Sequence, residues 1–404
     1  MFGKAALFLV LGFSTIFMVY NANMIRSTNN TVDLYSDYYQ RTMANHIANT
    51  GANIACNGLF LSPNWTSNMS NTEFNGGKIS VYLTNLSGDK KRVVSVSEYM
   101  NMKDTVIITL QPSNFAKFAY YAAQMPGNLY YATGDTVWGP MHIQGKLNVL
   151  GSPVFYGKVT AQNGLKYGNS STNPKFYGGY ESGVNLPLPS TVPDVSSKAS
   201  SGGRLISNKD LYLTFNSNGT VTYREGSSGA FTTVALSTYA PNGVIYVDKG
   251  NAYIKGTVKG KITLGAGKSS GAGSGNIYFD DDIRYSTDPE SPSCTDMLGL
   301  VASNDFVIRD VPATKGDFTL HATCMSLSGG LTVENYNSIP YQGAIRLTGG
   351  LIENQSQPTG VWSSSLNKVT KGYNSVFKYD TRYMLEVPPA FPSTGSYEIT
   401  SWLE

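Results

Sequence analysis

From about residue 138 onward, short runs alternate apolar and polar positions and are separated by Gly, Asn or Asp. Gly243-Val244-Ile245-Tyr246-Val247, Lys261-Ile262-Thr263-Leu264, Leu298-Gly299-Leu300-Val301, Phe318-Thr319-Leu320 and Ala344-Ile345-Arg346-Leu347 are typical. Each run is too short to bury an inward face alone, so the runs must stack on one another. The pattern predicts a mainly β chain built around a right-handed parallel β-helix, with a filled column of Val, Ile, Leu and Phe inside.

The N-terminal pattern differs. No charge occurs between Lys4 and Arg26, and the residues between them are largely apolar. About 20 such residues span a bilayer core as a helix, which predicts a membrane anchor. A cleaved signal peptide is the alternative, but Tyr20 stands where cleavage needs a small side chain. Lys4 favours a cytoplasmic N-terminus, which leaves the bulk of the chain outside. From Thr31 to about Phe60, Tyr35, Tyr39, Met43, Ile47, Ile54 and Leu59 recur near helical spacing. They predict an amphipathic helix that follows the anchor after a break at Ser27 to Asn30.

Between these regions, Lys78–Leu83, Arg92–Val96 and Thr105–Leu110 alternate at period two and read as an antiparallel meander with a turn at Gly88-Asp89-Lys90. Asn114 to Tyr121 reads as a short helix. Residues 166–205, rich in Gly, Ser, Pro and Asn, read as an insertion loop across the outside of the coils. Asn216-Ser217-Asn218-Gly219 between two alternating runs signals a hairpin, and residues 265–275 a Gly/Ser tip.

Composition narrows the function classes. Charged residues make up 14% of the chain against 42 Gly and 27 Tyr, a balance suited to exposed extracytoplasmic β surface. A net charge of +3 gives no ground for a nucleic-acid partner. Cys56, Cys294 and Cys324 are an odd number; Cys294 and Cys324 either pair across coils or stay as buried thiols. Asp280, Asp281 and Asp282 open the only acidic concentration, which offers oxygen ligands for Ca²⁺ or carboxylates for sugar chemistry. The bland alternative is that these Asp side chains point outward and end turns. Gly267-Lys268-Ser269-Ser270-Gly271 matches a nucleophile elbow in letters, but no helix follows it. His46, His142 and His321 are scattered, and no cofactor fingerprint occurs, so no catalytic residue and no cofactor other than Ca²⁺ is expected.

A run of motifs adds to this reading. Gly139-Pro140-Met141-His142, Gly151-Ser152-Pro153-Val154-Phe155, Gly183-Val184-Asn185-Leu186-Pro187-Leu188-Pro189, Phe279-Asp280-Asp281-Asp282-Ile283 and Pro388-Pro389-Ala390-Phe391-Pro392 resemble an uncharacterised bacterial envelope family. That family is a domain of unknown function described as PilX-like or pilus-assembly related. The resemblance implies architecture and envelope location and carries no catalytic residues. Gly3-Lys4-Ala5-Ala6-Leu7 is similar to the processing site of minor pilins, where cleavage follows Gly; Phe8 stands where major pilins carry Glu. The resulting expectation is an anchor at 1–30, a pilin-like helix plus antiparallel sheet at 31–125, and a β-helix with insertion loops at 126–404. Such a chain would be a structural or adhesive envelope protein, meeting the membrane, other pilin-like subunits or envelope glycans. A membrane-anchored carbohydrate-active enzyme, or a glycan-binding β-helix protein, is the alternative.

Overall fold

The computed structural model describes residues 2–86, 89–132, 135–189, 191, 193–268, 273–363 and 368–404. The chain is mainly β after one N-terminal helix and divides into two units, Met1–Ser113 with Gly395–Glu404, and Asn114–Thr394. The second unit is thus inserted into the first along the chain. The last ten residues were expected to belong to the coils; instead they supply a strand of the first unit's sheet, in the order Thr72–Phe74, Gly77–Asn85, Lys91–Tyr99, Met102–Asn114, Ser393–Leu403. The three meander strands pair antiparallel, as their two-residue alternation predicts. Gly88 of the expected turn lies outside the described residues.

Helix α1 runs unbroken over Phe2–Leu61, so the break expected at Ser27 to Asn30 does not occur. Polar side chains there are absorbed by the helix: the Thr28 and Thr31 hydroxyls donate to the Met24 and Ser27 carbonyls one turn earlier, at 2.9 and 2.8 Å. Along its N-terminal part every large apolar side chain from Leu7 to Ile25 is 53–76% exposed. Its C-terminal part packs on the sheet through a face that the periodicity of large residues indicated only in part: Ile47 and Leu59 lie on it, and small residues fill the rest. Ala44, Ile47, Ala48, Ala52, Ala55 and Leu59 are buried, while Tyr35 and Ile54 face out. Small side chains let the helix axis approach the strands closely. A Cβ on Gly51 would lie 2.5 Å from Ser95 Oγ and 2.6 Å from Ile79 Cδ1. We expect Gly51→Leu to destabilise the first unit by about 1–3 kcal/mol through overpacking. A thermal melt of the full chain checks this, and an unchanged first-unit transition would refute the close packing.

In the second unit, the strands lie on parallel ladders, here called rails. The longest runs Arg204–Ser207, Val244–Asp248, Lys261–Ala266, Met297–Ala302, Phe318–Ser326, Tyr341–Gln355, then Tyr120–Gln124, Met141–Ile143, Val159–Ala161 and Tyr180–Ser182. The order is not that of the sequence. From Tyr120 the chain coils outward to Ser182 and crosses through 183–203, which includes the helix Pro193–Ser200. It then coils back from Arg204, so the last coil made stacks on the first. Residues 166–205 are therefore only in part a loop, since Lys175–Phe176 is a strand of the third coil and Tyr180–Ser182 opens the fourth. Asn114 to Tyr121 is likewise no longer helix than Phe115–Lys117 before Tyr120–Gln124 extends. The hairpin forms as expected, with Leu211–Phe215 paired to Thr220–Glu225 around Asn216 and Gly219.

The interior column holds Ile254, Leu264, Phe279, Leu300, Phe306, Leu320, Ile345 and Leu351. A second core covers the outer side of the long rail, where Val195, Ala199, Tyr383 and Phe391 pack on Val244, Val301, Met325 and Ile352. That explains why Met297–Ala302 is buried at every position. Cys294 and Cys324 are both buried free thiols.

Candidate functional site

The two stacks of coils meet at a seam, and the long rail is the continuous ladder across it. A second rail, through Phe306–Ile308, ends at Leu331–Val333; among the described residues no pairing joins it to Tyr131–Ala132, which begins the next ladder. A third ends at Lys368–Tyr379, and Thr136–Val137 likewise starts afresh. After Gln355 the chain leaves the coil irregularly through 356–359 rather than laying down another strand. The missing strand opens the interior column, and the filled cylinder expected from the sequence is interrupted by a cavity of about 1050 Å³.

Side chains that would otherwise face a neighbouring coil line this cavity: Tyr120, Tyr131, Val137, Leu331, Leu351 and Phe377, with Met125, Leu129, Trp138 and Val376 toward the outside. Glu353 sits among them, only 3% exposed. Leu331 N–H, left without a strand partner, donates to Glu353 Oε1 at 2.8 Å, and Tyr120 Oη–H donates to Oε2 at 3.0 Å. Ser356 Oγ is within hydrogen-bonding contact of the Tyr120 hydroxyl. Burial pushes the Glu353 carboxyl up to about 7 despite the three hydrogen-bond partners that favour its charged form. Burial also raises the Tyr120 and Tyr131 hydroxyls well above the usual phenol range, with the Glu353 carboxylate adding to both. Asp135 and Lys378 stand at the exposed edge, Lys378 paired with Glu290. A smaller hollow of about 540 Å³ in the first unit is edged by Glu73, Lys78 and Glu98, all exposed.

The residues singled out from sequence lie elsewhere. Asp280 pairs with Arg309 at 2.9 Å, and Asp282 with Arg284 at 2.6 Å while also accepting from Thr319 N–H at 2.7 Å. Asp281 Oδ1 accepts from Asp282 N–H at 2.8 Å. Each carboxylate is thus committed locally, and among the described residues no three His, Cys, Asp or Glu converge as a metal site. Gly3 and Lys4 lie exposed on the first turns of α1. Ser269, Ser270 and Gly271 of the Gly/Ser tip lie outside the described residues. His142 is buried and packed, bonded to Thr160 Oγ1 at 2.7 Å and Gln144 Oε1 at 3.0 Å and stacked on Tyr121.

Sequence reasoning missed Glu353. Its signal was present: in Leu351-Ile352-Glu353 the period-two alternation places the carboxylate on the same inward face as Leu351. Tyr120, Tyr130 and Tyr131 line the cavity, while Tyr121 packs in the outer core with its hydroxyl donating to the Leu186 carbonyl at 2.7 Å.

Among solved structures, the chain is similar to the competence-associated pilin ComZ from Thermus thermophilus, at a TM-score of 0.40 and 12% identity, over 90% of this chain and 97% of that one. No family model and no curated protein matches the chain.

Proposed function

We propose that the chain is a membrane-anchored, extracytoplasmic structural protein of minor-pilin-like design, with its N-terminus cytoplasmic and its inserted unit a right-handed parallel β-helix displayed at the cell envelope. The observation that carries this reading is α1. Its N-terminal part exposes an unbroken apolar surface long enough to cross a bilayer, while its C-terminal part is fixed to a sheet by a buried Ala stripe. A helix half packed and half bare suits a lipid bilayer at one end and neighbouring helices further along. Val32, Leu34, Tyr35 and Tyr38 are each more than 60% exposed just beyond the apolar stretch, and in this reading they meet other pilin-like subunits. The parallel ladders and the inward Val, Ile and Leu support the β-helix reading, and the role assigned is adhesive or structural rather than catalytic.

Membrane fractionation of cells making the full chain tests the anchor. The protein is expected in the pellet after alkaline extraction. Leu9→Arg with Phe13→Arg should release it, since each Arg near the middle of a span costs roughly 2.5–3.5 kcal/mol. N-terminal sequencing adds a second reading: a start at Lys4 supports pilin-type processing after Gly3. A mature chain that begins near Asn23, or a wild-type chain found in the soluble fraction, would overturn the anchored design.

A further inference from the structure

We propose that the seam cavity binds a small amphipathic organic cation, with its ammonium group against the Glu353 carboxylate and its apolar body along Leu331, Leu351 and Phe377. The cavity is at the upper end of the size of small-molecule sites and has their usual character, apolar walls with a few convergent polar groups. It is also a product of the fold rather than a packing accident, because it occupies the place of a strand that the irregular path through 356–359 fails to supply.

Charge selects the ligand. The acid groups on the wall are Glu353 deep inside and Asp135 at the edge; the edge cation Lys378 is taken by Glu290. An anion would meet a buried carboxylate with no inward-facing cation among the described lining residues to offset it. A sugar would need many hydrogen-bonding groups, whereas the deep polar set is Glu353, Tyr120 and Ser356. A cation, by contrast, finds a carboxylate together with the rings of Tyr120 and Tyr131, with Trp138 at the edge; aromatic face and negative charge in a desolvated site attract ammonium groups. The Trp138 ring is stacked on Tyr156 at 3.9 Å, which holds it in place at the cavity edge.

The groups that bear on Glu353 from the surrounding elements are the Tyr120 and Tyr131 phenols, the Cys324 thiol and Asp305, with Asp135 and Lys378 further out. Burial holds the Glu353 carboxyl up at about 7, so cation affinity should follow its charge.

The test is titration calorimetry on the full chain in detergent with 4-phenylbutylamine and its neutral counterpart 4-phenyl-1-butanol. The amine is expected to bind at least about tenfold more tightly than the alcohol, and to lose roughly tenfold in affinity from pH 8 to pH 6. Glu353→Gln, which keeps an oxygen to accept from Leu331 N–H, should remove the preference for the amine. Val376→Trp places a large side chain at a position 43% exposed at the mouth and should abolish binding while leaving the melting curve intact. Equal binding of amine and alcohol would overturn the proposal, as would no binding of either to the wild-type chain. So would full amine affinity in Val376→Trp.

Discussion

Gly349→Ala lowers the melting temperature of the second unit by roughly 8–16 °C, equivalent to about 4 kcal/mol. Gly349 lies inside the strand Tyr341–Gln355, at the corner where pairing with Lys368–Tyr379 gives way to pairing with Tyr120–Gln124. Its φ of +149° is a conformation that side chains rarely take, and a Cβ there would sit 1.8 Å from the carbonyl oxygen of Ala322 on the preceding coil. Neither strain nor clash can relax alone, because Ala322 is held in the same parallel ladder opposite Gly349. Moving either backbone strains the pairing of Tyr341–Gln355, which carries the long rail across the seam, with its three neighbouring strands. The matched control is Gly179→Ala, with φ +86° but nothing within 4 Å of the added methyl. That change should cost only about 1–2 kcal/mol, the intrinsic penalty of a left-handed residue. Differential scanning calorimetry of the two variants separates steric contact from backbone preference. Equal shifts for both would mean that the corner is not held as described.

The second large effect is a change in pH dependence. The Glu353 carboxyl has an ordinary value near 4.5 when the chain is unfolded and about 7 in the folded chain. Because the folded value is the higher, the folded state binds the proton more tightly. Its contribution is fully present below pH 4.5, falls as pH rises through the interval to about 7, and is flat above it. Glu353→Gln cannot lose a proton. At pH 8 the variant should therefore be more stable than wild type by on the order of 3 kcal/mol, with the gap closing toward pH 4. His142 and His321 slope the other way: burial lowers both, so they oppose folding as pH falls below their ordinary range. They are present in both proteins and cancel in the difference. Denaturant titrations at pH 4, 6 and 8 measure it, and a difference that stays constant with pH would rule out a carboxyl at this position whose burial outweighs its hydrogen bonds.

Several local features were readable because neighbours in sequence there are neighbours in space. The hairpin around Asn216 to Gly219, the period-two meander and the apolar N-terminal stretch all declare themselves within a few residues. The helix face was read only in part: Ile47 and Leu59 are buried as their spacing indicates, but Tyr35 and Ile54 face out, and Ala44, Ala48, Ala52 and Ala55, whose value is their small size, supply the rest of the contact. The order of the coils had no local mark at all. Parallel strands pair through backbone groups that every residue carries, so nothing within Tyr120–Gln124 says that its partner is Leu351 to Gln355 rather than the next run downstream. The cavity follows from that unreadable junction. In the acidic run, adjacency in sequence gave no sign that Asp280 pairs with Arg309 and Asp282 with Arg284.

The displaced coil order also has a consequence for biosynthesis. Tyr120–Gln124 leaves the ribosome early, yet the segment that completes its pairing, around Leu351, is translated more than 200 residues later. At about 5–20 residues per second, the nascent chain must carry that bare edge for roughly 10–50 s. An unpaired parallel edge recruits any strand that comes near, so the interval is long enough for mispairing with a neighbouring nascent chain. The first-made coils are therefore the segment for which a holding chaperone matters most.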